Sequence, residues 1–117
     1  MYHQANTNLV VHKEDPPIDS QTMRLRLSGE LTGEGVYLLK QVIEPLFISP
    51  APPHLELKMD DINYMDSSGV GIIIAIIQRM RDAGGKLEIQ GLGDVGRDLF
   101  KILKLASLHE YVSVNGK

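Results

Sequence analysis

The string Asp66-Ser67-Ser68-Gly69 places two hydroxyls beside a carboxylate, where a period-2 stretch gives way to an aliphatic stretch of helical period. Serine and aspartate at such a junction can cap a helix, because their oxygens accept from N–H groups that the first turn leaves without partners. Ser67 reads as the N-cap and Ser68 as a hydrogen bonder at the helix start. A serine in this position can also accept a phosphoryl group, which brings a charge of about −1.5 to −2. Spacing leaves both readings open.

Other strings with chemical potential carry less. Gly91-Leu92-Gly93-Asp94-Val95-Gly96 matches G-x-G-x-x-G ahead of a helix, but a dinucleotide site needs that motif at the first strand of a βαβ unit, with an acid about 20 residues on. Here the motif falls at the last crossover, with Glu110 in a short remainder, so a glycine-rich turn is the better reading, and a weak NTPase or nucleotide binder rests on this loop alone. Asp60-Asp61 lies in a strand, where neighbours point to opposite faces. His3, His12, His54 and His109 are scattered without ligand spacing. No metal and no cofactor is expected. The chain has no cysteine and no G-x-S-x-G, so no nucleophile–base pair is readable and no catalytic residue is assigned: the chain reads as a binding protein, not an enzyme.

The elements that must position the turn follow from periodicity. Asn8–Lys13 is a short edge strand, broken by Pro16-Pro17. Thr22–Ser28 alternates, with Met23, Leu25 and Leu27 on one face and Arg24 and Arg26 on the other. From Glu34 to Phe47, Val36, Leu39, Val42, Ile43 and Leu46 recur at helical spacing, and Pro45 should kink or end that helix. Ser49–Pro53 is a loop. His54–Ile62 alternates again through Leu55, Leu57 and Met59. In the helix after the turn, Val70, Ile73, Ile74, Ile77 and Met80 form one stripe. Ile72 and Ile76 widen it, as core or as a strip for a partner. Gly84-Gly85 ends this helix, the first glycine suited to a left-handed cap. Lys86–Gln90 is a strand. Asp94–Ala106 is a helix with Val95, Leu99, Ile102, Leu103 and Ala106 inward, and Tyr111–Val114 is a last strand. The order β-β-α-β-α-β-α-β predicts an α/β domain with parallel pairing and helices layered on the sheet.

Composition bounds the function class. A chain of 117 residues is one domain, and 43% apolar residues with two Phe and no Trp give an aliphatic core. A net charge of −3 without a basic cluster leaves no footprint for nucleic acid. The longest apolar run, Ile72–Ile77, is far short of the roughly 20 residues a bilayer requires. No membrane insertion is expected, and with no secretory signal the protein is expected to be cytoplasmic.

Met59 to Gly85, MDDINYMDSSGVGIIIAIIQRMRDAGG, resembles the STAS domain of bacterial anti-sigma factor antagonists. The strand, the Asp-Ser-Ser-Gly turn, the aliphatic helix and the Gly-Gly stop come in the family's order. Gly29-Glu30-Leu31 and the segment Val95–Leu108 agree with the flanks, so the resemblance covers roughly residues 8 to 114, with 1–7 an N-terminal tail. It implies a single domain with a mixed, mostly parallel sheet and helices packed against it. It also implies partner switching, in which the domain binds an anti-sigma factor that is a serine kinase. The kinase phosphorylates Ser67 to dissociate the complex, and a phosphatase resets it. The partner face then includes Asp66, Ser68 and Gly69. Tyr64 and Ile72 border it, as contacts or as packing residues. Thr32 stands where the family usually has Asp, and the proline-rich 49–53 loop is longer than the family's common pattern. The same fold could instead serve as a scaffold or regulatory module of a stressosome or a membrane transporter complex, without sigma control.

Overall fold

The computed structural model describes residues 8–14, 21–48, 53–92, 94–105 and 112–115. Their elements are β1 (Val10–Glu14), β2 (Thr22–Leu31), α1 (Gly33–Ile43), β3 (His54–Met65), α2 (Ser67–Asp82), β4 (Lys86–Gln90), α3 (Asp94–Leu105) and β5 (Val112–Asn115), with a 3₁₀ turn at Glu44–Phe47. The 1–7 tail, Pro16-Pro17, residues 49–52, Gly93, Ala106 and Tyr111 lie outside the described residues, as does the Val95 side chain.

The five strands lie in sequence order, β1-β2-β3-β4-β5. β1 is antiparallel to β2, and every later pair is parallel. The sheet is therefore mixed and mostly parallel, as expected. Each crossover steps one strand in the same direction, and right-handed crossovers then put all three helices on one face. That asymmetry explains the alternation in the sequence. Leu25, Leu27, Leu55, Leu57, Leu87 and Ile89 point to the helices and are buried. Arg24, Arg26, Glu56, Lys58 and Glu88 point the other way and are half-buried. Each fully buried Leu or Ile contributes on the order of 1.5–3 kcal/mol.

The ends of the helices are set locally. Pro45 has no N–H to donate, and α1 gives way at Glu44 to the 3₁₀ turn. After α2 the Gly84 N–H donates to the Arg81 carbonyl and the Gly85 N–H to the Met80 carbonyl. This double bond pattern needs the left-handed φ of 75° at Gly84.

Three details differ from the alternation. Leu38 is buried although the stripe read for α1 omits it. Ile102 is 40% exposed rather than inward, because the buried Leu99 and Leu103 already define the inner face of α3. The alternation of buried and half-buried residues in β3 stops at Asp60 and Asp61, which are both exposed. The cause is the register: Arg26 pairs with Lys58 but Ser28 with Asp61, and Gly29 pairs with Ile62 but Glu30 with Tyr64. β3 thus carries an extra residue at two places, and each such bulge re-aims the side chains that follow.

Candidate functional site

β2 and β3 end side by side, Leu31 beside Met65, and each feeds a helix N-terminus, through Thr32 into α1 and through Asp66 into α2. Parallel sheets place their ligand sites beyond the carboxyl ends of strands, where loops and helix N-termini meet.

Asp66, not Ser67, caps α2. Its extended backbone (φ −100°, ψ −172°) aims the carboxylate back over the first turn. Oδ1 accepts from the Gly69 N–H at 3.0 Å and from the Ser68 hydroxyl at 2.6 Å. These bonds, the Ser68 hydroxyl first, hold the Asp66 carboxyl below the ordinary aspartate value. Aspartate caps as well as serine and adds a charge that suits the positive end of the helix, so the cap falls one residue earlier than the sequence reading put it. Ser67 becomes the first residue of the helix. It is exposed, and among the described residues its hydroxyl makes no hydrogen bond. Ser68, exposed too, has its hydroxyl committed to Asp66.

Gly69 is buried in the first turn. A Cβ there would run into the Leu31 carbonyl oxygen and Met65 Cγ, so its lack of a side chain lets α2 dock on the end of β2. It serves packing and the cap, not the surface. Gly71 is exposed, with nothing within 4 Å of a Cβ built on it. Ser67, Gly71 and Ala75 recur at i, i+4 and i+8, which share one helix face, and all three are exposed. Along that line the first turns of α2 beyond Ser67 carry no large side chain. Sequence reading missed Gly71, whose signal was a glycine in a helix at a position that costs about 0.5–1 kcal/mol relative to alanine.

Tyr64, paired with Glu30, is 60% exposed just before the cap. It lines a cavity of about 60 Å³ together with Ile62, Asn63, Met65 and Leu92. Thr32 caps α1 through its backbone, its carbonyl accepting from Gly35 and Val36 and its side chain making no cap bond. Ile72 is half-buried and packs on the core, and Ile76 is fully buried. The tip thus gathers Thr32, Tyr64, Asp66, Ser67 and Ser68, while Ile72 and Gly69 support it from inside.

Gly91 has a packing task of its own. At φ 91° it lies against the bulged backbone of Asp60, whose N would be 2.6 Å from any Cβ. Only glycine fits that approach.

The family model described as STAS domain matches residues 12–114. The chain belongs to the STAS domain family. The anti-sigma-B factor antagonist of Bacillus subtilis is 23% identical to it over 95 residues, covering 81% of this chain and 83% of that protein. The anti-sigma-B factor antagonist of Listeria monocytogenes is 27% identical over 101 residues, covering 85% and 86%. Among solved structures, the anti-sigma factor antagonist SpoIIAA in its unphosphorylated form superposes with a TM-score of 0.68 at 22% identity, over 80% of this chain and 83% of that one. The phosphorylated Bacillus SpoIIAA gives 0.68 at 20% identity, over 90% of each chain. At those identities the structural likeness shows the shared fold of this STAS domain. No helix among the described residues is long and apolar enough to cross a membrane.

Proposed function

We propose that this STAS domain is an anti-sigma factor antagonist that binds an anti-sigma factor with serine kinase activity and is switched off by phosphorylation of Ser67. The observation that carries the proposal is the Ser67 hydroxyl, exposed and without a hydrogen bond at the first position of α2, beside a Ser68 whose hydroxyl is tied to Asp66. A kinase then has one accessible acceptor of the two. Thr32, Tyr64, Asp66 and Ser68 form the surrounding partner surface, bounded by the small residues Gly71 and Ala75 of α2. The domain acts by binding rather than by catalysis, in the cytoplasm, where the kinase finds ATP and a phosphatase can restore the serine.

The physics of the switch lies at the interface. A phosphate at a helix N-terminus is tolerated, at a gain on the order of 0.3–1 kcal/mol, so the fold survives it. Within a docked interface the same charge is buried without a partner, which costs several kcal/mol. About 1.4 kcal/mol is tenfold in affinity, so roughly 4 kcal/mol dissociates the complex a thousandfold. The ionised Asp66 next to it adds like-charge repulsion.

The test incubates the protein with a candidate anti-sigma kinase and ATP and maps phosphate by mass spectrometry. Phosphate is expected at Ser67 and absent from Ser67→Ala. Ser67→Asp is expected to lose partner binding while its Tm stays within a few degrees of wild type. No phosphate at Ser67 across candidate kinases, or a Ser67→Asp variant that melts, would refute the proposal.

A further inference from the structure

Two serine hydroxyls follow Asp66, and both residues are exposed, so exposure does not choose between them. Hydrogen bonding does. The Ser68 hydroxyl donates to Asp66 Oδ1 at 2.6 Å, the short distance of an O–H···O⁻ bond strengthened by charge. Oδ1 is not free to swing aside with that hydroxyl, because it also accepts from the Gly69 N–H at 3.0 Å as the cap of α2. The Ser67 hydroxyl, at the first position of the helix, makes no hydrogen bond among the described residues.

Phosphoryl transfer from ATP needs an acceptor oxygen whose proton is offered to the kinase. The serine Oγ bonds to the γ-phosphorus as the bond from that phosphorus to the β–γ bridging oxygen breaks. The hydroxyl proton passes to a base of the kinase, and ADP leaves. A base must come within hydrogen-bond reach of the proton it takes, and the Ser68 proton is directed at Asp66. Asp66 does not stand in for that base. Its carboxyl is held below the ordinary aspartate value, the Ser68 hydroxyl first among the causes, and a weaker base takes a proton less readily. Its charge, 2.6 Å from the Ser68 oxygen, also repels the anionic γ-phosphoryl group.

We infer that Asp66 selects the acceptor: it withholds Ser68, a second phosphoacceptor of the same turn, and so confines phosphate to Ser67. The inference rests on the reading of Ser67 as a kinase target and adds how that target is chosen. Breaking a hydrogen bond to a charged group disfavours Ser68 by about tenfold or more. The selection lies in the side-chain oxygen at position 66. Asparagine there keeps an acceptor for the Ser68 hydroxyl, whereas glycine, which caps a helix nearly as well, has none.

The full chain and its variants are incubated with a candidate anti-sigma kinase and ATP, and fragment-ion mass spectrometry measures the ratio of phosphate at the two serines. A uniform change in docking or stability leaves that ratio unmoved. Wild type is expected to carry at least about tenfold more phosphate at Ser67 than at Ser68. Asp66→Gly should bring the two sites near parity, and Asp66→Asn should keep Ser67 preferred. Asp66→Gly combined with Ser67→Ala should take phosphate at Ser68, where Ser67→Ala alone takes none. If Asp66→Gly fails to fold, Ser67→Ala decides, since phosphate moving to Ser68 with Asp66 in place overturns the inference. So does an Asp66→Gly chain phosphorylated at Ser67 alone or at neither serine, or an Asp66→Asn chain without preference. Those outcomes leave Ser67 a kinase target; a wild-type chain without phosphate at Ser67 refutes that reading itself.

Discussion

Replacing Gly69 with alanine places a methyl group against the Leu31 carbonyl oxygen and Met65 Cγ, whereas at Gly71, two residues along the same helix, a Cβ meets nothing within 4 Å. Both changes gain helix propensity, about 1 kcal/mol in a helix interior and less in the first turn. At Gly71 that gain stands alone, and Gly71→Ala should stabilise the domain by about 0.5–1 kcal/mol. At Gly69 it is set against overpacking, which costs about 1–3 kcal/mol, and the obstacle is a backbone carbonyl that cannot rotate away. The Gly69 N–H also serves the Asp66 cap, so a shift of the first turn to relieve the clash lengthens that bond. Gly69→Ala should therefore lose about 1–2 kcal/mol. Urea unfolding of the two variants and wild type measures both signs, and in thermal unfolding the two Tm values should differ by roughly 6 °C or more. A Gly69→Ala variant as stable as Gly71→Ala would refute the close docking of α2 on β2.

The Asp66 carboxyl titrates below its ordinary value, so its stabilising contribution is complete above about pH 4 and is lost as pH falls through the lower folded value. Asp66→Asn should flatten acid unfolding in that window. Ser68→Ala, which removes the main cause of the shift, should move the Asp66 titration seen by NMR back toward the ordinary value. An unmoved titration would contradict the Ser68–Asp66 bond. Tyr64→Ala, at a site 60% exposed, should leave Tm unchanged and weaken binding to the proposed anti-sigma partner by about 2 kcal/mol, or roughly thirtyfold in Kd. Unchanged binding by calorimetry would remove Tyr64 from the partner surface.

The sequence by itself determined the types and order of the elements, because a sheet covered on one face must alternate and a helix packed on it must carry an apolar stripe. Lys86–Gln90 and the helix after Asp66 stand where periodicity put them, and Thr22–Ser28 lies within a strand that runs on to Leu31. It also determined the stop at Gly84, since only a residue at ease with positive φ ends a helix that way. It marked Asp66-Ser67-Ser68-Gly69 as a helix start, but put the cap on Ser67, one residue late. Aspartate and serine cap equally well, and the backbone angle that chooses between them is set by how β3 runs out against β2. The bulges that expose both Asp60 and Asp61 were likewise invisible, because they exist only relative to the partner strand. So was the role of Gly69, which depends on a carbonyl 38 residues earlier. Periodicity is a property of one segment and is written in that segment; caps, bulges and close glycine contacts are relations between segments, and only the packed chain supplies the second member.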